Sequence, residues 1–417
     1  FIEMSTVFLL LSILYVWMAW NLYHPNFHHP KGSILSFAVG LLAGELGLHV
    51  IFWQAMTVAF FVLVGAVSGV FGAIGFLLCA ASWGAIAFYY YESANAQKEV
   101  ISGLEEGLGK RFQTQVNEEL RQQFAEEPDR ELIRHPFQHR DPNVELIRNV
   151  HFGDFGQQLD IRRPRAGAPD SPMPVLLHIH GGAWTYGKKD DGQGIPLMNH
   201  MAKRGWICIS SAYRLSPSAT FPDHIIDCKQ ALVWIKEEIR EYGGNPEFII
   251  VTGGSAGGHL SSLLALSAGH EAFQPGFEDK DTTVQGAVPF YGVYDFTDEE
   301  NHFPQEGLGE MLENSIFKLE MSGNEQVFKD ASPLFHISDQ APPFLVVQGT
   351  HDTLVPVASS RAFSKVLRAK SKHKVAYVEL KGAQHAFDVF PSLRSEYVKF
   401  GVEKFLAWTY SQYLKSV

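Results

Sequence analysis

The first chemical signal in the sequence is a serine set between small residues at the end of an apolar run. In EFIIVTGGSAGGHL, Gly253, Ser255 and Gly257 form a G-x-S-x-G motif between a predicted strand and a predicted helix. That context favours a sharp turn that exposes the hydroxyl at a helix N-terminus, where the helix dipole stabilises developing negative charge. The motif predicts that Ser255 is a nucleophile.

A second turn of small residues, HIHGGAW at 178–184, directly follows another predicted strand upstream of the serine. A tetrahedral oxyanion needs several N–H donors aimed at one point, and small residues let the backbone turn inward to supply them. His180 is expected to brace this loop rather than to react. The candidate oxyanion donors are the N–H groups of Gly181, Gly182, Ala183 and Ala256.

An aspartate and a histidine follow the serine in the chain. Asp352 comes just after the predicted strand in PFLVVQGTHDTLVPV, and His385 lies in the loop after the next one, in KVAYVELKGAQHAF. A hydroxyl needs a base to attack, and the base needs a carboxylate that fixes its tautomer. The order serine, aspartate, histidine is that of the α/β-hydrolases. We expect Ser255 to attack a carbonyl, His385 to shuttle the proton and Asp352 to orient the imidazole.

Other residues compete for these roles. Asp295, in FYGVYDF, also follows a predicted strand, but it lies one strand too early to be the expected acid. His351 is adjacent to Asp352 and is expected to be an ordinary loop residue. Asp223 and Asp227 lie at a predicted helix start, where capping accounts for them.

The elements that must position these residues alternate between β-rich and helical runs from Val144 onward. Helical runs such as 223–242 and 361–369 separate the later strands, so the pattern predicts an α/β fold with a mostly parallel central sheet and helices on both faces. We assign 144–417 to this catalytic domain and 92–143 to an amphipathic helical linker or cap. The predicted strands are VELIRNVHF, QQLDIRR, PVLLHIH, WICISSAYR, EFIIVTGG, QGAVPFYG, PFLVVQG and KVAYVEL.

The first 91 residues differ sharply in charge from the rest of the chain. The 417 residues contain 34 Lys and Arg and 45 Asp and Glu, yet this segment contains only Glu3, Lys31 and Glu45. Its apolar runs therefore predict an α-helical transmembrane segment over 1–91, surrounded by membrane lipids. No basic n-region or cleavage site of a signal peptide is visible in it, so we expect a retained anchor.

About three spans fit this segment. Residues 4–23 are long enough to cross about 30 Å of hydrocarbon. Residues 34–91 are long enough for two more helices, with a turn near Gln54 or Gly65. Glu45 and His49 are four residues apart and are expected to share a helix face, either for a function or to bond helices together.

The basic residues that flank the predicted spans suggest an orientation. Three spans put Lys31, Lys98, Lys110 and Arg111 on one face of the membrane, which the positive-inside rule makes cytoplasmic. The catalytic domain is then cytoplasmic as well. Glycine pairs with GxxxG spacing favour close helix packing, either within the bundle or between copies in a homo-oligomer.

Net charge and cysteine content limit the partners and the chemistry. The formal charge of −11 argues against a nucleic-acid partner, which would require a basic surface. The three cysteines contain no CxxC pair, so buried apolar thiols are expected rather than a disulfide framework.

The motifs HGGAW, GGSAGG, GTHDTLVP and GAQHAF together resemble the hormone-sensitive-lipase-like branch of the α/β-hydrolases. The stretch SSAYRLSPSATFPDHIIDCKQALVWI resembles the same branch, so the resemblance covers about residues 145–412. It implies an α/β-hydrolase fold and a serine carboxylesterase or lipase with no metal and no organic cofactor. Ala183 stands where many members have glycine, but it still offers its N–H. The apolar N-terminus resembles, more loosely, the membrane-anchored isoprenylcysteine methylesterases and some bacterial lipid esterases.

These observations predict a membrane-anchored serine hydrolase of lipidic or short to medium acyl esters. Because the triad does not identify the scissile bond, a thioesterase, an amidase and a prenylcysteine methylesterase remain alternatives. A further alternative is a membrane scaffold whose hydrolase domain is vestigial.

Overall fold

One eight-stranded sheet lies at the centre of the catalytic domain. The structure is a computed structural model that describes residues 2–167, 171–304 and 307–417. The strand order is β1-β2-β4-β3-β5-β6-β7-β8; β2 runs antiparallel to both β1 and β4, and the other neighbours are parallel. The strands are β1 (Val144–Phe152), β2 (Gln157–Pro164), β3 (Met173–Ile179), β4 (Ile207–Ser211), β5 (Gly244–Gly254), β6 (Gly286–Phe290), β7 (Phe344–Gly349) and β8 (Val375–Leu380). All eight runs predicted as strands form strands, and the predicted mostly parallel sheet is confirmed.

Helices cover both faces of this sheet and also form a separate N-terminal bundle. Alternate residues of the central strands enter different cores: Val175 and Leu177 pack in one, Leu176 in the other. This burial on both faces explains why the central strands are apolar throughout. The helices are α1 (Ile2–Tyr23), α2 (Pro30–Glu45), α3 (Gly47–Leu63), α4 (Gly69–Glu92), α5 (Ala96–Leu108), α6 (Glu118–Arg121), α7 (Arg130–Arg134), α8 (Ile195–Ala202), α9 (Asp223–Glu238), α10 (Ala256–Leu266), α11 (Gly307–Met311), α12 (Glu325–Asp330), α13 (Val357–Lys370) and α14 (Leu393–Ser416).

Three helices of the N-terminal bundle lie side by side. Helices α1 and α4 run parallel, as two contacts between them show. Ser82 Oγ donates to Tyr15 O at 2.9 Å, and Tyr23 Oη, later in α1, donates to Ala85 O at 2.8 Å. α3 runs antiparallel to both, with its Phe61 ring 5.2 Å from that of Phe8 near the start of α1. Two helical stretches are long and apolar enough to cross a bilayer, Met4–Tyr23 and Gly69–Leu108. The pair Pro30–Glu45 and Gly47–Leu63, which is bent by 93°, adds a third only if it counts as one span.

Of the two breaks between these helices, the one at 64–68 contains Gly65, where a turn was predicted, and the one at Leu46 was not predicted. Residues 34–91 contain parts of three helices, interrupted at Leu46 and at 64–68, rather than two. Gln54 is not at a turn: it lies inside α3 and accepts a hydrogen bond from Trp83 Nε1 at 3.0 Å. The bend at Leu46 directly follows Glu45, which is bonded to the catalytic domain as described below.

The prediction that Glu45 and His49 share a helix face was wrong, because the bend at Leu46 lies between them. The bend separates the two residues onto different helices, so their spacing of four no longer brings them together. Glu45 forms a buried ion pair with Arg394 of α14 and accepts from Ser392 Oγ at 2.7 Å. His49 Nε2 contacts the carbonyl of Arg134 at 3.2 Å.

The stretch between the bundle and β1 packs on the catalytic domain. An added Cβ at Gly103 would lie 2.4 Å from the carbonyl oxygen of Tyr377, and one at Gly107 would lie 2.4 Å from Ala376 Cα. Helix α5 therefore approaches the backbone of the edge strand β8 through glycines. Its apolar face completes one layer of the domain next to α14.

Candidate active site

Ser255 lies at a strained turn between β5 and α10. Its backbone has φ +58° and ψ −120°, a combination that a residue with a side chain rarely adopts. The turn holds because its neighbours are small: a Cβ at Gly253 would lie 2.4 Å from Ile179 O, and one at Gly257 would lie 2.0 Å from the same oxygen. The two outer glycines of G-x-S-x-G are therefore required by contact with β3. The turn leaves the serine at the first turn of a helix, as the nucleophile elbow demands.

His385 and Asp352 form a buried hydrogen-bonded pair. His385 Nδ1 lies 2.7 Å from Asp352 Oδ2, and both residues are less than 5% exposed. Asp352 Oδ1 accepts from the N–H groups of Leu354 at 2.9 Å and Val355 at 2.8 Å. Gln348 Nε2 donates to Oδ2 at 3.0 Å. These donors satisfy the oxygens of the buried side chain, and the contact of Oδ2 with Nδ1 favours the imidazole tautomer that carries its proton on Nδ1.

Tyr291, at the end of β6, lies between the serine turn and the histidine. Its ring centroid is 4.6 Å from that of His385. On its other side, a Cβ at Gly254 would lie 2.7 Å from the Tyr291 hydroxyl, and Ser255 N donates to Phe290 O at 3.0 Å. The structure thus brings Ser255, Asp352 and His385 together at the carboxyl ends of the parallel strands. Among the hydrogen bonds of the described residues, none joins Ser255 Oγ to His385. In serine hydrolases without substrate, the distance between nucleophile and base is often longer than a hydrogen bond.

Tyr291 is itself held by the partly buried carboxyl group of Asp388. Its hydroxyl donates to Asp388 Oδ1. Burial raises the pKa of Asp388, although the hydrogen bond from Tyr291 opposes that rise. Burial also raises the pKa of Tyr291, so the tyrosine stays a neutral donor. The pair fixes the aromatic ring against which the imidazole packs.

The HGGAW loop has the backbone conformation of an inward turn. Gly182 has φ +120°, and Ala183 and Trp184 have φ +49° and +59°. The Gly181 N–H donates to Gln193 Oε1 and is therefore already used. Among the described residues, no acceptor bonds the N–H of Gly182 or Ala183, and Ala256 begins α10, where N–H groups have no helical partner. These three donors are the ones left for an oxyanion.

Two buried histidines support this loop from below. His180 stacks on Tyr213 with ring centroids 4.4 Å apart, consistent with a bracing role. His259 of α10 accepts from Trp184 Nε1 at 3.1 Å, and its Nε2 contacts Ala331 O at 2.8 Å. Burial lowers the pKa of His259 to about 3, so it is neutral near pH 7. It serves as a hydrogen-bonding link between the loop and the elbow helix.

The competing residues have other partners. Asp295 Oδ1 accepts from Thr297 N at 2.8 Å in a local turn. His351 Nδ1 contacts Leu22 O of α1 at 2.9 Å rather than a catalytic group. Asp227 binds Arg214 through both carboxylate oxygens, and Asp223 Oδ2 accepts from Thr220 N at 3.2 Å.

Sequence reasoning missed the helix that lies over His385. The ring of Phe37 on α2 is 5.9 Å from the imidazole ring, edge to face. Gln384, next to His385, also contacts α2. Gln384 belongs to the motif GAQHAF, which was assigned to the catalytic loop. No signal in the sequence indicated which surface of the domain α2 covers.

The catalytic domain matches a known family. Residues 159–367, just over half of the chain, match the BD-FAE family model. The matched region contains Ser255 and Asp352 and ends before His385. Esterase 2 of Thermogutta terrifontis, phosphonylated by sarin in its solved structure, has a TM-score of 0.53 and 23% identity, covering 63% of this chain and 92% of that one. At this identity the similarity shows the fold alone, an α/β-hydrolase.

Curated relatives extend the comparison. The probable carboxylic ester hydrolase LipM of Mycobacterium tuberculosis is 51% identical over 266 residues, 63% of this chain and 61% of that protein. The probable isoprenylcysteine alpha-carbonyl methylesterase ICME of Oryza sativa subsp. japonica is 30% identical over 253 residues, 59% of each chain. The chain thus spans about three fifths of the length of these relatives.

Proposed function

Because this chain belongs to the BD-FAE family of α/β-hydrolases, we propose that it is a membrane-anchored serine carboxylic ester hydrolase. The observation that carries the proposal is the 2.7 Å contact between His385 Nδ1 and Asp352 Oδ2, at the sheet edge where the strained Ser255 turn also ends. A fold alone does not establish an activity, but a nucleophile, a base and an oriented acid in one site support one.

The first half of the proposed reaction forms an acyl-enzyme. Ser255 Oγ attacks the ester carbonyl while His385 Nε2 takes the hydroxyl proton. The N–H groups of Gly182, Ala183 and Ala256 stabilise the oxyanion that forms. When the tetrahedral species collapses, the C–O bond to the alcohol breaks, and His385 returns the proton to the leaving alcohol.

The second half hydrolyses the acyl-enzyme. Water attacks the acyl carbonyl, and its proton goes to His385 Nε2. The same three N–H groups stabilise the second oxyanion. Its collapse releases the carboxylic acid and restores the Ser255 hydroxyl, while Asp352 stabilises the charged imidazole in both halves.

We infer that α1, α3 and α4 cross the membrane. The 17 residues of α3 reach about 26 Å, which is at the short end of what a span needs. Their side-by-side packing supports three spans, with α2 lying between the bundle and the catalytic domain. Lys31, Lys98 and Lys110 then share the face of the catalytic domain, which makes that face cytoplasmic.

Active-site labelling tests the activity. The detergent-solubilised full chain should react with a fluorophosphonate probe, and Ser255→Ala should lose both labelling and on the order of 10⁶-fold in kcat. Ser262→Ala is the matched control, because Ser262 is a buried serine on the same helix whose hydroxyl only donates to Gly258 O at 2.8 Å. A folded wild type that neither labels nor hydrolyses esters would favour the vestigial scaffold.

A substrate panel tests the bond and the chain length. We expect short to medium acyl or single-lipid carboxylic esters to be hydrolysed faster than a thioester or a prenylcysteine methyl ester. The higher identity to LipM, 51% against 30% for the methylesterase, favours that order. Faster turnover of the prenylcysteine methyl ester would reverse it.

A further inference from the structure

Helix α2 contacts both loops that carry the His385–Asp352 pair. Thr353 Oγ1, in the loop after β7, donates to the carbonyl oxygen of Ser33 at 2.8 Å. Gln384 Nε2, in the loop after β8, lies 3.5 Å from the carbonyl oxygen of Ser36. Each contact is to a residue directly adjacent in sequence to Asp352 or His385. The apolar N-terminal segment is therefore in contact with the catalytic loops and is not a tether at a distance from them.

Gln384 connects α2 to both catalytic loops at once. Its Oε1 accepts from Thr353 N at 2.8 Å and from His385 N at 2.9 Å. Its side chain is 3% exposed and packs on α2 where that helix has a glycine. A Cβ added to Gly40 would lie 3.2 Å from Gln384 Nε2 and 3.5 Å from its Cγ. A larger residue at Gly40 would therefore push on the group that fixes the backbone N–H of His385.

Helix α2 is bonded both to the bundle and to the catalytic domain. In its first half, Ser36 Oγ donates to Asn21 Oδ1 of α1 at 2.6 Å. At its end, Glu45 is paired with the buried Arg394 of α14. These contacts hold α2 in place relative to both parts of the chain.

Phe37 adds an apolar surface beside the imidazole. Its ring lies edge to face with His385, and it is part-buried. The neighbouring Ile34 and Leu35 are 60% and 51% exposed on the outer side of the same helix. A hydrocarbon chain that passes Phe37 would thus continue along an apolar helix surface.

We propose that α2 is a positioning element of the active site, acting through Gln384 on His385 and Thr353, and that Phe37 contacts the hydrocarbon chain of an ester that reaches the site from the bilayer. This inference rests on the proposed ester hydrolase function and narrows its substrate class to medium-chain or single-lipid esters whose hydrocarbon chain reaches Phe37. The N-terminal segment then positions catalytic groups and contacts substrate, in addition to anchoring the chain.

A glycine series on the full chain tests the positioning role. Gly40→Ala should lower kcat slightly and Gly40→Val by about 10²-fold, with KM for a short soluble ester within about twofold, since small misplacements of catalytic groups have effects of this size. Gly84→Ala and Gly84→Val are matched controls on α4, because an added Cβ at Gly84 meets nothing within 4 Å. They should retain wild-type kcat. Equal kcat in the Gly40 and Gly84 series would overturn the positioning role.

A second pair of variants keeps the test valid if Gly40→Val does not fold. Gln384→Leu removes the acceptor at nearly constant size and should lower kcat, whereas Gln384→Glu keeps an oxygen acceptor and should recover part of the loss. A purely structural role predicts no such recovery of kcat at unchanged KM. Wild-type kcat in Gln384→Leu would contradict the proposal.

Chain-length selectivity tests the role of Phe37. Phe37→Ala should lower kcat/KM for a laurate ester about tenfold more than for a butyrate ester, the scale expected for lost burial of an apolar ring. Phe52→Ala is the matched control on α3, where the ring is 56% exposed. Equal loss for both esters would remove the substrate-chain role. Failure of the wild type to hydrolyse any ester would instead reject the proposed function itself.

Discussion

At the scale of single residues, Asp352 differs from the other carboxylates near strand ends by what its oxygens contact. Its Oδ2 meets His385 at 2.7 Å, while its Oδ1 accepts from two backbone N–H groups. Asp295 also follows a strand, but its oxygen closes a local turn with Thr297. The position of Asp352 in the chain suggested it as the acid of the triad, and these contacts explain why it suits that role better than Asp295.

Asp352→Asn should lower kcat on the order of 10⁴-fold, because an amide no longer fixes the imidazole tautomer or stabilises its charged form. KM should change little, since the substrate does not touch this side chain. Asp295→Asn is the matched control and should remain within a few-fold of wild type. Steady-state kinetics on one soluble ester measures both, and a larger loss in Asp295→Asn would make that residue the catalytic acid.

At the scale of elements, the sequence was sufficient for the sheet. The central strands are apolar runs bounded by turn residues, and the small residues around Ser255 are required by contacts with β3. The role of Glu45 at the bend was not predictable, because its ion-pair partner Arg394 is remote in sequence. Hydropathy reports that α2 and α3 are apolar, but it does not report which partner each helix face meets. The contact of α2 with the catalytic loops was missed for that reason.

Helix α9 carries a lysine whose burial should be visible in the pH dependence of stability. Lys229 is fully buried, its Nζ donates to Gln274 Oε1 at 2.9 Å, and burial lowers its pKa to about 7 from 10.5. Between these two values the unfolded chain binds more protons than the folded one, so this residue makes stability rise with pH.

Lys229→Met should reduce that rise. The apparent unfolding midpoint of the wild type should increase more than that of Lys229→Met between about pH 7 and pH 9. Lys229→Met also removes one donor from the carbonyl of Ser267 and one from Gln274 Oε1, but each oxygen keeps another donor, so we expect the two proteins to differ in their pH response. Lys236→Met, on the same helix but paired with the exposed Asp281, is the control. An identical pH response in wild type and Lys229→Met would contradict the proposed origin of the effect.

At the scale of the whole molecule, the bundle and the catalytic domain are joined by a buried charge pair. Glu45 and Arg394 have side chains 1% and 2% exposed, and Ser392 Oγ donates to the same carboxylate at 2.7 Å. Arg394 also lies 5.8 Å from the ring of Tyr89 of α4, whose hydroxyl donates to Gly382 O. The interface therefore connects the apolar N-terminal helices to the loop before His385, and loss of either partner of the ion pair should weaken both parts.

Glu45→Leu and Arg394→Leu should each destabilise the chain by about 3 to 5 kcal/mol, because each leaves a buried charge without its partner. The double variant should recover most of this loss, since two apolar groups of similar size leave no buried charge. Arg361→Leu is the control, because Arg361 is 55% exposed and its pair with Glu379 is worth at most about 1 kcal/mol. Thermal unfolding in detergent should show one shared transition in the wild type. A double variant that loses as much stability as the two single variants together would contradict this role of the charge pair. The packing of α2 against the catalytic loops alone would then have to join the bundle to the catalytic domain.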